Sequence, residues 1–462
     1  MLRKERILLA LTVLTLPEVA RGGGHEPREA PPNASQPEGA SFERHTTRAQ
    51  KVLFVREAVR ASVADVARRP VGSLLSNAGR TAERLAVRAA EAVPGLPIPG
   101  HQCPESGGPL TPARVTPLYD SGPAYRALLD LIGSSRCRVD LMMFSWDDDA
   151  AGRPVAAALI ERARAGVAVR VTVDRGSFVS GEDNAHVTRG CPTYLDALRA
   201  TPNVQVIEAP GPFLRFDHRK VAVFDDRVVW TGGMVLTGPS LFRWHNFAFL
   251  VEGPAVPQFA ALFAERWDAL GGCPAPVCPQ AATAAEVVPN AMVRVVRTDD
   301  HIRTLKEAVY GAVDTARRHI YLENCYFSDQ ILVKKLVAAR ARGVDVRAIL
   351  TMRGDVRLLN EYAGLMANRL LRGGVRVYLY PAMTHVKAMS VDGTLAYVGT
   401  GNFDELSLRN NREVGLTVRG PALIAEIEEN LFLHDMSVSE ELHALLPPPP
   451  RRLLLNLLSI WY

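Results

Sequence analysis

The chain repeats itself at long range, and that repeat is the strongest limit on its fold. Gly-Val-x-Val-Arg occurs at 166–170 and again at 343–347. Each occurrence ends a similar series. Arg138 to Phe144 reads as a strand, Pro154 to Ala165 as a helix, and Gly166 to Asp174 as a turn and a buried strand. Later, His319 to Phe327 reads as a strand, Gln330 to Arg342 as a helix, and Gly343 to Leu350 as the matching strand. Strand, helix, strand at this spacing implies parallel pairing and an α/β class. The period of roughly 150–170 residues far exceeds a solenoid unit. Two copies of one α/β unit therefore predict a pseudo-two-fold body with a shared site between them.

Each copy carries His-x-Lys-x-x-x-x-Asp at an equivalent place. The first is His218, Lys220 and Asp225; the second is His385, Lys387 and Asp392. Apolar residues follow each Lys, Val221 to Phe224 and Ala388 to Val391, as a buried strand requires. Residues i and i+2 of a strand face the same way, so each His and Lys emerge side by side. Two imidazoles and two ammonium groups around one cleft suit attack on a phosphodiester. One neutral imidazole attacks phosphorus and becomes a phosphohistidine. The other protonates the leaving alkoxide and later deprotonates the acceptor. The lysines hold the non-bridging oxygens. The set supplies its own positive charge, and no Cys and His spacing suits a metal, so no metal and no other cofactor is expected. Asp225 and Asp392, seven residues beyond each His, are expected to hold the strand end through hydrogen bonds; direct contact with the reacting groups is the alternative.

With these motifs the chain resembles the phospholipase D superfamily, and within it bacterial cardiolipin synthases and related phosphatidyltransferases, over roughly residues 110–440. Gly399-Thr400-Gly401-Asn402 resembles the Gly-[Ser/Thr]-x-Asn element after the motif, and Ser407, Asn411 and Glu413 fall where those synthases carry Ser, Asn and Glu. In the first copy, Gly232-Gly233-Met234, the stretch Val251 to Val256, Phe263, Arg266 and Trp267 fit too. Val235 stands where the first copy usually has Asn, and Trp244-His245-Asn246 where many cardiolipin synthases read Trp-Arg-Asp.

The resemblance implies two mixed β-sheets flanked by helices, and phosphatidyl transfer or hydrolysis on a phosphatidylglycerol-like lipid at a membrane surface. It makes Asn402, Ser407 and Glu413 supporting residues, with Glu413 orienting a catalytic His. It also assigns the nucleophile to the N-terminal motif, hence His218. The fuller surroundings of the second copy weigh the other way without choosing between the roles. The rivals are a nuclease of the same superfamily and a non-catalytic membrane-binding protein with the fold.

Composition bears on those rivals. Of the 54 basic and 49 acidic residues, 15 and 10 lie in the first hundred positions, leaving 39 of each in the rest. A body without net charge has no footprint for a long polyanion, so nucleic acid is an unexpected partner. The ends look membrane-seeking. Residues 1–22 read as a signal peptide or N-terminal anchor, with Arg3, Lys4 and Arg6 before an apolar run from Ile7 to Leu16. Residues 23–109 hold a linker and basic amphipathic helices at about 46–69 and 73–93. The halves are then 110–270 and 291–440, joined by a linker at 271–290, and 441–462 is a Pro-rich and apolar tail. These ends predict a membrane-associated protein of the bacterial cell envelope. If the chain is exported, Cys273 and Cys278 could pair, while Cys137 and Cys325 read as buried thiols.

Overall fold

The computed structural model describes residues 106–174, 193–209, 215–274, 276, 278 and 287–449. The expected signal or anchor, the amphipathic helices and residues 451–462 of the tail lie outside the described residues. The first half runs β1 (Thr111–Tyr119), α1 (Ser121–Ser134), β2 (Arg138–Met143), α2 (Gly152–Arg164), β3 (Ala168–Asp174), α3 (Tyr194–Arg199), β4 (Val204–Ala209), β5 (Val221–Phe224), β6 (Val228–Gly232), α4 (Gly238–Phe242), β7 (Trp244–His245), β8 (Phe247–Glu252) and α5 (Val256–Ala269). The second runs β9 (Ala291–Thr298), α6 (Thr304–Thr315), β10 (His319–Asn324), α7 (Gln330–Ala341), β11 (Asp345–Thr351), α8 (Arg357–Arg372), β12 (Arg376–Tyr380), β13 (Met383–Thr384), β14 (Lys387–Val391), β15 (Leu395–Gly399), α9 (Glu405–Arg409) and β16 (Glu413–Arg419), followed by short helical turns and β17 (Glu440–Glu441).

The duplication is complete at the level of strand order. The first half is arranged β1-β8-β6-β5-β2-β3-β4, and the second β9-β16-β15-β14-β10-β11-β12 with β17 at its edge. In both, the strand–helix–strand units pair in parallel, β2 with β3 and β10 with β11, and the strand after each His-x-Lys pairs antiparallel to the first of them. The resemblance implies two mixed sheets. Instead β1 and β9 pair antiparallel over Thr111–Ala113 and Ala291–Val293, which joins the halves into one 15-stranded sheet. An open edge strand leaves unpaired N–H and C=O groups, and pairing the two equivalent edges satisfies both. A second, two-stranded parallel pair, β7 with β13, also crosses between the halves.

Asp225 and Asp392 stand at hairpin turns, at the far end of β5 and β14 from the His. Asp225 and Asp226 both have positive φ, 51° and 55°, as do Asp392 and Gly393, 56° and 65°. Two-residue turns with this backbone match strand twist, and Asp, Asn and Gly tolerate it best. Each carboxylate folds back onto the chain before the neighbouring strand. Asp225 accepts from the backbone N–H groups of Arg136, Cys137 and Arg138, all at 2.8 Å. Asp392 accepts from Arg317, Arg318 and His319 at 2.7–3.0 Å. Three N–H bonds hold the Asp392 carboxyl below the ordinary carboxylate range, against the opposing effect of burial.

The cysteines pair differently from expectation. Cys137 and Cys278 form a disulfide, with Cα atoms 5.8 Å apart across 141 residues of sequence. Cys273 is an exposed thiol instead of the partner of Cys278, and Cys325 is a buried thiol. The reason is local. Asp225 fixes the backbone N–H of Cys137 at 2.8 Å, and next to it Arg138 donates to the carbonyl of Pro276 at 2.7 Å, which sets the segment carrying Cys278 against Cys137. Glu440 and Glu441 pair with β12, Leu446 exchanges two hydrogen bonds with Asn368, and Leu442 and Leu446 pack on the core of the second half.

Candidate active site

Each His-x-Lys segment leads into a fully buried strand, β5 and β14, that anchors it in the core. The intervening x residues, Arg219 and Val386, are buried as well. Arg219 is bidentate to Asp217 at 2.7 Å, and Arg266 adds a bond to the same carboxylate at 2.9 Å. Burial would raise Asp217, but the guanidinium groups of Arg219, Arg266 and Arg412 hold it well below the usual carboxylate range. This fixed ion cluster braces the loop that presents His218.

The sheet brings His218 and His385 to one cleft, with Phe144, Phe216, Trp244 and Asn402 among its walls. Neither Asp225 nor Asp392 lines it, so the closing Asp of each motif is structural and not part of the constellation. Each histidine is held by two consecutive residues of the opposite half. The N–H of His218 donates to the Arg412 carbonyl at 3.0 Å, and its Nδ1 lies 2.7 Å from Glu413 Oε1. The N–H of His385 donates to the His245 carbonyl at 2.6 Å, and its Nδ1 lies 3.1 Å from Asn246 Oδ1. Phe144 meets the ring of His218 edge-on at 4.6 Å, and Trp244 lies 5.0 Å from that of His385. The close approach of the halves leaves no room for a side chain at Gly233, where a Cβ would stand 2.4 Å from the carbonyl oxygen of His385.

The lysines are tethered too. Lys220 Nζ donates to the carbonyl of His218 at 2.6 Å and sits 5.1 Å from the Phe144 ring. Lys387 Nζ donates to the carbonyl of His385 at 2.8 Å and to Cys325 Sγ at 3.2 Å, and that thiol donates to Asn402 Oδ1 at 3.1 Å. Ser407 and Thr400 donate to the Glu413 carboxylate at 2.7 and 2.6 Å. So Asn402, Ser407 and Glu413 all reach the site or a group within it. Sequence reasoning missed Cys325, for which a lone cysteine gives no signal, and treated Asn246 only as a departure.

Burial dominates the electrostatics. It depresses both histidines well below the ordinary imidazole value, and Lys220 and Lys387 push them the same way. It lowers both lysines. It raises Glu413 to about 7, although Lys220 and the hydroxyls of Thr400 and Ser407 pull against it. Neutral imidazoles are competent nucleophiles and bases, and clustered ammonium groups suit an anionic phosphodiester.

Behind His385 lies a second buried group. His245 Nε2 meets Asp435 Oδ2 at 2.9 Å, its Nδ1 lies 3.5 Å from Asp120, and Glu323 is adjacent. Burial works against its charge, but Asp120 and Asp435 outweigh it and raise His245 to about 10. Glu323 accepts from Thr384, the residue before His385. Potential metal ligands converge in two places among the described residues: here, and at Cys137, Asp225 and Cys278, where the sulfurs are bonded to each other. Neither group is in the cleft.

Comparison with known proteins gives a consistent placement. Residues 128–267 and 310–435 match the family described as cardiolipin synthase, phospholipase D-like domain. Cardiolipin synthase A of Pseudomonas fluorescens (strain SBW25) is 29% identical over 340 residues, 70% of this chain and 68% of that protein. A cardiolipin synthase of Clostridium perfringens (strain 13 / Type A) is 22% identical over 338 residues, 68% of each. The crystal structure of phosphatidylserine synthase from Haemophilus influenzae Rd KW20 superposes with a TM-score of 0.61 at 15% identity, covering 77% of this chain and 95% of that one, and shares the fold.

Proposed function

The chain belongs to the cardiolipin synthase family of phospholipase D-like domains, and from that membership we propose that it moves phosphatidyl groups between alcohols through a phosphohistidine. The observation that carries this reading is the pair of cross-half contacts, His218 to Glu413 and His385 to Asn246. They make two half-sites into one. A phosphodiester bound across the cleft would have its non-bridging oxygens at Lys220 and Lys387. One imidazole attacks phosphorus while the other gives its proton to the departing alkoxide. An acceptor hydroxyl then loses its proton to the second imidazole and displaces the first, which closes a ping-pong cycle. A phosphatidylglycerol-like donor with a glycerol-type acceptor would give a cardiolipin-like product; water would give phosphatidic acid.

The same reading puts the protein at a membrane surface of the cell envelope. The disulfide supports an oxidising compartment, and the basic-then-apolar order of residues 1–16 supports export or anchoring. No helix among the described residues is long and apolar enough to cross a membrane, so attachment would rest on other segments or on the lipid-facing cleft. The test is to incubate purified protein with labelled phosphatidylglycerol, and separately with a single-stranded oligonucleotide, and to identify products by mass. Transfer or release of the phosphatidyl group is expected. Cleavage of the oligonucleotide with inert lipid would replace this reading with a nuclease.

A further inference from the structure

Three ionisable side chains from distant segments meet behind His385. His245 comes from β7 of the first half, Glu323 from β10 of the second, and Asp435 from a helical turn near the end of the second. One ligand atom from each, an imidazole nitrogen and two carboxylate oxygens, lies within 4.8 Å of the others. Glu323 and Asp435 are fully buried.

Most polar atoms of this group have partners. His245 Nε2 meets Asp435 Oδ2 at 2.9 Å, and Asp435 Oδ1 meets Nδ1 of the exposed His434 at 2.9 Å. Thr384 donates to Glu323 Oε1. The other oxygen, Glu323 Oε2, is buried without a donor. A carboxylate oxygen in the interior costs free energy unless a proton or a cation reaches it. Charge points the same way. The two buried carboxylates carry two negative charges, and an imidazolium at His245 cancels only one of them. Asp120, 3.5 Å from His245 Nδ1, adds another on the outer side. The Tyr380 ring, stacked on His245 at 5.2 Å, adds none.

We propose that His245, Glu323 and Asp435 bind one divalent first-row metal ion, zinc foremost, as a fastener between the two halves. Nε2 of His245 binds the ion through its lone pair, and the proton it held leaves to solvent as the ion enters. Nδ1 keeps its proton and faces Asp120, the carboxylate–imidazole–metal arrangement that fixes a ligating ring. Two carboxylates and a divalent ion then sum to zero charge. One imidazole with two carboxylates suits zinc or manganese, whereas calcium and magnesium take oxygen ligands. Of the first two, zinc is held more tightly by such a set.

The ion ties the halves where they carry His385. The carbonyl of His245 accepts from the N–H of His385, Thr384 of the Glu323 contact precedes it in the chain, and β7 pairs with β13. None of the three ligands lines the cleft. The ion therefore holds the fold together and takes no part in the reaction, and its site stands independently of what the cleft turns over.

The test uses the full chain, stripped with EDTA and then titrated with zinc chloride, with manganese chloride in parallel. Metal analysis after dialysis should find about one zinc per chain, and zinc should raise the thermal midpoint of stripped protein by about 3 °C or more. X-ray absorption at the zinc edge should show nitrogen and oxygen neighbours and no sulfur. Glu323→Gln keeps the side chain's shape and an acceptor for Thr384 but removes the charge. It should keep a metal-free midpoint close to wild type and lose the zinc-dependent rise. His245→Gln, which leaves the backbone carbonyl to His385, should lose the rise too; His434→Gln, outside the ligand set, should keep it. Wild-type protein that retains neither zinc nor manganese, a sulfur neighbour in the absorption spectrum, or a zinc-dependent rise that survives in Glu323→Gln would overturn the site. If a variant fails to fold, metal content and the absorption spectrum of the wild type decide.

Discussion

The backbone N–H of His385 donates to the carbonyl of His245 at 2.6 Å, across the boundary between the two halves. That bond, and its counterpart from His218 to Arg412, means each half holds its own histidine only together with the other half. Each half therefore depends on the other for a working imidazole.

Such dependence predicts strongly non-additive mutants. His218→Ala and His385→Ala should each remove nearly all turnover, and the double mutant should be little worse than either, because the residues act as one unit. Steady-state rates on labelled phosphatidylglycerol decide it. A single mutant that retains more than about a tenth of the activity would rule out a shared site.

In the proposed mechanism the positive charge for the phosphate comes from Lys220 and Lys387, each tethered to the carbonyl of its own histidine. EDTA should accordingly leave turnover running on detergent-dispersed substrate. Complete loss restored by one particular divalent ion would contradict the two-lysine account. Dispersed substrate matters, since cations also change the surface of anionic bilayers.

The closing aspartates should behave as fold residues. Asp392→Ala removes three accepted N–H bonds and places Ala at a φ of 56°. It should cost about 1–3 kcal/mol or somewhat more, read as a lower midpoint in urea. Asp392→Asn, which tolerates that backbone, should recover part of the loss. Protein that remains folded should keep most of its specific activity; a folded variant without activity would put Asp392 back among the reacting groups.

Peptide mapping without reductant should recover Cys137 and Cys278 in one linked fragment, with Cys273 open to a thiol reagent and Cys325 protected until unfolding. Cys137→Ser should destabilise by about 2–4 kcal/mol, measured by thermal or urea unfolding under oxidising conditions. A Cys273–Cys278 fragment would instead restore the pairing expected from their closeness in sequence.

Much of this protein was legible in its residues. The repeated Gly-Val-x-Val-Arg and the apolar strands after Lys220 and Lys387 are local signals, and periodicity along a chain is what a sequence records directly. They gave the α/β class, the duplication and the four candidate side chains of the cleft. Glu413 was visible through its place in a family pattern. Asp225 and Asp392 share the motif with the reacting groups, but only the hairpin geometry separates them from the cleft.

Contacts between distant segments were left to the tertiary structure. Cys278 lies five positions from Cys273, yet bonds to Cys137, because a disulfide follows spatial proximity and chain direction more than sequence distance. The two sheets become one because the edges β1 and β9 meet, and nothing in either strand's own residues marks that edge as paired. Asn246 appeared in the sequence as a missing carboxylate. Folding turned it into an amide locked by Ser121 and Ser240 against His385, since only the packed halves decide which of its ends faces the imidazole. Sequence thus determined which groups could react; the closure of one half upon the other determined which partners they have, and with them the protons they can hold.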